Sequence, residues 1–238
     1  MDWTLDIIEV GVIPDLPWNI YLPSAAPEAR LDVPCYCYLL TRPGSCLLID
    51  TGPDRERSAR ADFAIVGNAL PALERALDRR HRTMDDVESI IHTHLHYDHI
   101  QNDGLFPRAE IIVQRREFEW ARSQEADRFY VDIDAFHDEC GSRITLVDGE
   151  REVHKGLTLV PNGGHTPGHQ SIIVQTREGP VCVCGDILPM LANTKVLPPS
   201  QDPAATQAFI ARTSSASWEI LPGHDPAQRT HRWSVPSS

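Results

Sequence analysis

The chain has 238 residues, of which 41% are hydrophobic and 24% charged, a composition typical of a folded globular protein and not of a disordered one. A formal net charge of −12 disfavours nucleic acid as a partner, because a polyanion would be repelled over most of the surface. The length is that of a single domain, which we expect to span residues 1–238.

The N-terminal segment has early acidic residues, no basic stretch and no long apolar run, so we expect no secretory signal. No part of the chain approaches the roughly 18 apolar residues of a membrane span, and a cytoplasmic protein without membrane contact is predicted. Residues 5–13 and 35–50 have the composition of β-strands, the second interrupted by a turn signal at 42–44. The Pro- and Ala-rich residues 14–34 between them are predicted to form a long ordered loop.

The remaining chain alternates between helical and strand patterns, which predicts helices packed on sheets. Helices are expected at 70–80, at 116–123 and from Asp202 onward, and strands at 111–114, 144–147, 157–160, 171–175 and 181–184. Residues 119–143 mix aromatic and acidic side chains and are a candidate cap over an active site, with a plain surface insertion as the alternative. Residues after about 226 are expected to form a partly flexible tail.

Six cysteines include two Cys-x-Cys pairs, at residues 35 and 37 and at residues 182 and 184. Each pair lies in an apolar, strand-like run, where cysteine commonly serves as a small buried hydrophobic residue. This favours reduced structural thiols over metal ligands or disulfide bonds.

A dense polar block follows the apolar run at 87–91 and reads Thr-His-Leu-His-Tyr-Asp-His over residues 93–99. A strand that ends in His94-Leu95-His96 directs two imidazoles to the same side, where one cation can accept both. Asp98 and His99 follow too closely for all four side chains to reach one ion comfortably. A second cation is therefore expected, and two-metal hydrolytic sites separate their ions by about 3.5–4 Å.

With this block in place, the chain resembles the metallo-β-lactamase superfamily over nearly its whole length. LLIDTG at 47–52, GGHTPGHQS at 163–171, CGD at 184–186 and PGHD at 222–225 are similar to the other motifs of that family. The resemblance implies an α/β fold, namely an αββα four-layer sandwich in which two mixed sheets are flanked by helices.

The resemblance also implies two divalent metal ions, with zinc expected and iron, manganese or cobalt as alternatives. It assigns as metal ligands His94, His96, Asp98, His99, His165, Asp186 and His224. One ion would be held by the first, second and fifth of these, the other by Asp98, His99 and His224, with Asp186 bridging both. Asp50 takes the place of a carboxylate that orients ligand histidines.

Two cations that share a water lower its pKa toward neutrality, and the resulting hydroxide is the expected nucleophile. Asp98 and Asp186 are the candidate catalytic residues, since either can accept and return a proton. The HLHYDH and GHTPGHQS motifs, with Asp at 186, are most similar to N-acyl homoserine lactonases and other small lactonases. The expected function is therefore hydrolysis of a small-molecule substrate, namely a lactone or a related ester.

One departure from that group concerns the residue three positions after the bridging carboxylate. Several of those lactonases have a tyrosine there, whereas this chain has Pro189, so homoserine lactone specificity does not follow from the resemblance. The candidate substrate pocket, which includes three tyrosines that could take its place, consists of Trp18, Tyr21, Tyr97, Tyr130 and Phe136. A glyoxalase II-like thioesterase and a non-catalytic metal-binding scaffold are the alternatives, and a homodimer that covers apolar loop residues is compatible with the sequence.

Overall fold

The computed structural model describes residues 2–60, 62–123, 125–130, 133–199 and 201–235, which form two facing β-sheets with helices on their outer sides. The first sheet contains, in spatial order, β1 (Thr4–Pro17), β2 (Arg30–Arg42), β3 (Ser45–Ile49), β4 (Ser89–Ile91), β5 (Glu110–Gln114) and β6 (Ile144–Val147). Pairing is antiparallel from β1 to β3 and parallel from β3 to β6. The first sheet is therefore mixed.

The second sheet contains β7 (Arg151–His154), β8 (Leu157–Pro161), β9 (Gln170–Thr176), β10 (Gly179–Gly185) and β11 (Glu219–Pro222), in the spatial order β11-β10-β9-β8-β7. Its β10–β11 pair is parallel and its other pairs are antiparallel. The helices are α1 (Arg55–Arg60), α2 (Ala69–Arg79), α3 (Tyr97–Ile100), α4 (Arg115–Ala121), α5 (Ile133–Cys140) and α6 (Pro203–Ala216).

The layering follows from the alternation of side chains along the strands. In β2, Cys35 and Cys37 pack in the cluster beneath the helices of the first sheet, whereas Tyr36 and Tyr38 point into the cluster between the sheets. A third cluster joins the outer face of the second sheet to Phe209 of α6. These three clusters separate four layers, and the predicted αββα sandwich is confirmed.

The predicted loop at 14–34 is shorter than expected, because both flanking strands extend into it. Leu16 pairs with Leu31 and Pro17 with Arg30, which leaves residues 18–29 as the connection. Pro14 and Pro17 are tolerated in β1 because it is an edge strand, where a missing N–H costs no ladder bond on its open side. Helix α5 was not predicted, although its buried residues Ile133, Phe136 and Cys140 recur at helical spacing.

The C-terminal residues make ordered contacts as far as residue 235. Pro226–Thr230 form a 3-10 helix, and Val235 is buried, with its N–H donating to the Ile7 carbonyl at 2.9 Å. The last part of the predicted flexible tail, residues 236–238, lies outside the described residues. That residues 1–238 constitute one domain stays a prediction.

All six cysteine thiols are free and buried, which agrees with the structural role expected from their apolar surroundings. Across the described residues, no helix has the length and hydropathy that a membrane crossing requires.

Candidate metal centre and substrate cavity

Seven His and Asp side chains converge at one edge of the sandwich, where strands of both sheets end. They are His94 and His96 in the loop after β4, Asp98 and His99 in α3, His165 after β8, Asp186 after β10 and His224 after β11. Because β8, β10 and β11 run in the same direction, their carboxyl ends meet at the same edge of the second sheet. The structure therefore brings together all seven residues expected as metal ligands.

The first group of side chains consists of His94, His96 and His165, and one ring nitrogen from each lies within 4.8 Å of the others. His165 Nε2 is 3.1 Å from His96 Nδ1, and the ring centroids of His94 and His165 are 4.8 Å apart. Three imidazoles at these separations surround a space that one cation would fill.

The second group consists of Asp98, His99, Asp186 and His224. His224 Nε2 is 3.1 Å from Asp186 Oδ2 and 3.4 Å from Asp98 Oδ2. Asp186 Oδ1 is 3.5 Å from His99 Nε2, and its Oδ2 is also 3.7 Å from His165 Nε2 in the first group. The Asp186 carboxylate therefore faces both groups.

Several atoms of this cluster are buried without a hydrogen-bond partner. They include Nε2 of His94 and His99 and Oδ1 of Asp186. Unpaired buried polar atoms are costly, so their concentration at one point indicates that a bound group completes them. Imidazole nitrogens and carboxylate oxygens suit zinc, iron, manganese or cobalt, and two divalent cations fit this donor set.

The electrostatics of the first group favour neutral imidazoles, the form that donates an electron pair to a cation. Burial, reinforced by the nearby His99, His96 and His165, holds the pKa of His94 well below its ordinary value. Burial likewise lowers the pKa of His165. Neither ring needs to lose a proton at pH 7 before it can bind a metal.

Asp50 fixes the orientation of His99 from behind. Its Oδ2 is 2.8 Å from His99 Nδ1 and accepts a hydrogen bond from the Thr93 hydroxyl at 2.8 Å, while its Oδ1 accepts from the Thr93 N–H at 2.8 Å. Although burial opposes ionisation, His99 and His92 lower the pKa of Asp50 below its ordinary value. The ionised carboxylate can therefore hold the proton of His99 on Nδ1 and leave Nε2 free for a cation.

Two other histidines of the cluster contact neighbouring groups through their Nδ1 atoms. His224 Nδ1 lies 2.8 Å from the Pro34 carbonyl oxygen, and His165 Nδ1 lies 3.0 Å from Gln201 Nε2. Gln201 also donates to the Asp186 carbonyl oxygen at 2.7 Å, so it links two of the converging loops. No sequence pattern pointed to Gln201, because its partners lie 36 and 15 residues away along the chain.

A second residue that the sequence analysis did not single out is Glu117, a fully buried carboxylate in α4. It accepts hydrogen bonds from Leu95 N–H and Gly168 N–H, which lie on two of the loops that carry the clustered histidines. The sequence did contain a signal for the burial of Glu117. The apolar Ala121, four residues later, lies on the same face of the helix.

A cavity of about 630 Å³ opens beside the cluster and reaches His96, Asp98, His165 and Asp186. Of the five expected pocket residues, Tyr21 and Tyr97 line it. Its apolar wall is completed by Leu16, Ile20, Phe63 and Phe129, none of which the sequence analysis proposed. The face of Phe63 stacks on Tyr97, with ring centroids 4.0 Å apart.

The other three expected pocket residues are placed differently. Trp18 is 37% exposed and lies outside the residues that line this cavity. Tyr130 and Phe136 line an adjacent cavity of about 560 Å³, and the Tyr130 hydroxyl donates to Glu117 at 3.0 Å. Phe136 is buried in the core below the site, with its ring 6.5 Å from that of His92.

The candidate cap, residues 119–143, contributes to the site through one short stretch, and its residues 124, 131 and 132 lie outside the described residues. Asp127, Arg128 and Phe129 line the metal-side cavity, and Asp127 Oδ1 is 3.6 Å from His96 Nε2. Helix α5, in contrast, places Ile133, Phe136 and Cys140 in the core. Among the described residues, only part of the predicted cap therefore faces the cavity.

The sequence matches the model of the Metallo-beta-lactamase superfamily over residues 30–227. It is 33% identical over 177 residues to an N-acyl homoserine lactonase of a Bacillus species, a match that covers 68% of this chain and 67% of the relative. An N-acyl homoserine lactonase of Bacillus thuringiensis is 32% identical over 168 residues, covering 65% of this chain and 64% of the relative. These matches span about two thirds of the relatives' length.

Solved structures show the same likeness over more of the chain. A quorum-quenching N-acyl homoserine lactone lactonase superposes with a TM-score of 0.78 at 28% identity, covering 97% of this chain and 96% of that one. A Bacillus thuringiensis variant with N-decanoyl-L-homoserine bound at its active site superposes with a TM-score of 0.78 at 27% identity, covering 94% of both chains.

Proposed function

Since this chain belongs to the metallo-β-lactamase superfamily, we propose that it is a metal-dependent hydrolase that opens a lactone or a related carboxylic ester. The observation that carries the proposal is the pair of His and Asp groups, joined by Asp186, at the floor of a largely apolar cavity. The names of its relatives, which are N-acyl homoserine lactonases, agree with the lactonase function expected from the sequence motifs.

We assign the metal ligands as the sequence motifs imply. His94, His96 and His165 would hold one divalent cation and Asp98, His99 and His224 the other, with the Asp186 carboxylate facing both groups. Zinc is the proposed metal, because five imidazoles and two carboxylates form a donor set that it favours. When bound, such a pair of cations supplies a water of lowered pKa and polarises a substrate carbonyl.

The protein's own side chains would orient the substrate and move the proton. Asp98 is the proposed proton acceptor, since its carboxylate lies in the cluster and also lines the cavity. The leaving alkoxide of the opened ring then needs a proton, which Asp98 can return. Asp186 is a second candidate for this role, although its contacts with both groups favour a ligand function.

Tyr21 is the proposed hydrogen-bond donor to the carbonyl oxygen or the leaving-group oxygen of the substrate. It would take the place of the tyrosine that related lactonases have at the position of Pro189. Burial, followed by Asp186 and Asp98, raises the pKa of Tyr21 well above its ordinary value, so its hydroxyl stays protonated at neutral pH. It lines the cavity, and its ring lies 6.2 Å from that of His224. The Tyr130 hydroxyl, in contrast, already donates to Glu117.

The cavity supports a substrate with an apolar substituent. Leu16, Ile20, Phe63 and Phe129 offer apolar surface next to the polar cluster, which suits a lactone that carries an acyl chain. N-acyl homoserine lactones combine these two features and are the substrate class proposed for this chain. A homodimer and a cytoplasmic location remain predictions from the sequence.

The test is metal analysis combined with a hydrolysis panel of N-acyl homoserine lactones, simple lactones, thioesters and cephalosporins. We expect about two metals per chain, fastest turnover of a lactone, and loss of activity on chelation that added zinc restores. Asp98→Asn should lower kcat at least about 100-fold. Asp148→Asn, which alters an exposed surface ion pair with Arg115, is the matched control and should behave as the wild type.

The other outcomes discriminate between the alternatives. Preferential thioester hydrolysis would replace the lactonase with a glyoxalase II-like thioesterase. Two bound metals without turnover of any carbonyl substrate would contradict the hydrolase and support a metal-binding scaffold.

A further inference from the structure

Glu117 occupies a buried position in α4, where the residue is 0% exposed. Among the ion pairs of the described residues none involves Glu117, so no arginine, lysine or histidine contact accounts for its burial. A buried carboxylate is costly unless hydrogen bonds satisfy its oxygens. The burial of Glu117 therefore depends on its hydrogen bonds.

Both carboxylate oxygens of Glu117 accept two hydrogen bonds each. Oε1 accepts from Leu95 N–H at 3.0 Å and from the Tyr130 hydroxyl at 3.0 Å. Oε2 accepts from the Thr166 hydroxyl at 2.6 Å and from Gly168 N–H at 3.1 Å. A carboxylate has about four acceptor positions, and all of them are used here.

Each of the four donors is close in sequence to a histidine of the first group or packs on one. Leu95 lies between His94 and His96, and Thr166 follows His165 directly. The ring of Tyr130 packs edge-to-face on His96, with centroids 4.7 Å apart. One side chain therefore contacts both loops that present this group, as well as the aromatic ring that packs on one of its members.

Gly168 strengthens the same junction by close packing. A Cβ atom at this position would overlap the backbone of Glu117, so the loop after β8 can approach α4 this closely only with glycine there. The position of the loop is thus fixed by contact with the helix as well as by the hydrogen bonds.

We infer that Glu117 is a positioning residue that holds the loop of His94 and His96 at a fixed distance from the loop of His165, and thereby sets the metal affinity of the first histidine group. The inference rests on the proposed metal site. It goes beyond the ligand set, because Glu117 makes no hydrogen bond with any of the seven side chains assigned as ligands.

A glutamine amide cannot make the four hydrogen bonds that the Glu117 carboxylate accepts. Glutamine has one acceptor oxygen and one NH₂ group that only donates. Whichever way the amide is turned, its NH₂ faces a backbone N–H, either that of Leu95 or that of Gly168. One of the two loops must then move or leave its N–H unpaired.

The experiment measures Zn²⁺ affinity, by competition with a chromophoric chelator, in the full-length chain and its variants. His224→Ala removes a ligand of the second group and isolates the first, and His165→Ala does the reverse. In the His224→Ala background, Glu117→Gln should weaken Zn²⁺ binding about 10- to 100-fold, the range found for partners that orient ligands. In the His165→Ala background it should change Zn²⁺ affinity by less than about 3-fold.

The matched control is Glu119→Gln, the same substitution two residues later at an exposed position of the same helix. It should bind Zn²⁺ as its parent does. Thr166→Val removes one of the four hydrogen bonds and keeps the carboxylate, so it should weaken the first group in the same direction by a smaller factor. Thr166→Val also decides the question if Glu117→Gln fails to fold.

Each result has a defined meaning. Selective weakening of the first group supports a positioning role, whereas equal affinities in Glu117→Gln or Thr166→Val and their parents overturn it. A lowered melting temperature with equal weakening of both groups also overturns it, because that result is expected of a residue that only stabilises the fold. If the wild type itself binds no Zn²⁺, the proposed metal site fails, and this is seen before any variant is made.

Discussion

Replacement of Asp50 with asparagine tests how the protein prepares His99 for metal binding. Asp50 has a φ of 56°, in the left-handed region that asparagine and aspartate tolerate better than most residues. The substitution is therefore expected to keep the backbone and the side-chain shape. What changes is one acceptor oxygen, which becomes an NH₂ donor.

Each orientation of the new amide carries a cost that can be read from the structure. With NH₂ at the position of Oδ2, it faces His99 Nδ1, which must then accept, so that the proton moves to Nε2, the atom that points at Asp186. With NH₂ at the position of Oδ1, it faces the Thr93 N–H. Leaving a buried donor unpaired costs about 1–3 kcal/mol, which corresponds to about 5- to 150-fold in an affinity.

The assay is Zn²⁺ competition against a chromophoric chelator, with Asp15→Asn as the control. Asp15 also has a left-handed φ, of 54°, but its side chain is 81% exposed and it does not line the metal-side cavity. We expect the second group to lose about 10- to 100-fold in Zn²⁺ affinity in Asp50→Asn and nothing in Asp15→Asn. An Asp50→Asn protein whose Zn²⁺ affinities stay within about 2-fold of the wild type would show that Asp50 does not prepare His99 by keeping its proton on Nδ1.

Three further predictions concern the cavity, the core and the cysteines. Tyr21→Phe should retain its metal and lower kcat for a lactone about 10-fold or more; an unchanged kcat would show that the hydroxyl takes no part. Phe209→Ala, which empties a buried position beneath α6, should lower the free energy of unfolding by about 3–5 kcal/mol in urea titrations, and a loss below about 1 kcal/mol would contradict this packing. Burial raises the pKa of Cys35 to about 11 and that of Cys46 to about 12, so a thiol reagent at about pH 8 should label the native chain slowly and the denatured chain fast. Rapid labelling of the native chain would show that these thiols are accessible.

The fold was predictable from sequence where one local pattern determines both conformation and burial. The apolar run around Cys35 and Tyr36 predicted a strand with buried cysteines, and the structure shows that strand, with these two side chains in different clusters. The polar block after β4 was equally visible, because imidazoles and a carboxylate at the end of a buried strand have no packing role. Local patterns of this kind need no knowledge of distant partners.

Other features depended on contacts that sequence patterns do not report. Pro14 and Pro17 looked like loop residues and became strand residues because β1 lies at an edge of its sheet. Helix α5 has 8 residues, and its three buried positions, Ile133, Phe136 and Cys140, are at helical spacing but too few to identify a helix among the mixed residues around them. Such elements are fixed by tertiary contacts, which can override local preference.

The metal-binding residues and the residues that determine substrate preference differ in the same way. The metal-binding side chains follow strands, so the two sheets fix their relative positions. The apolar wall of the cavity comes largely from connecting segments, with Ile20 in one, Phe63 in a second and Phe129 in a third, while Leu16 lies near the end of β1. Segments of this kind can change in length and sequence without disturbing the sheets, whereas a shift of the ligand loops would disturb the metal site. A chain with this ligand set therefore keeps its hydrolytic chemistry while its substrate preference is set by residues that no metal motif identifies.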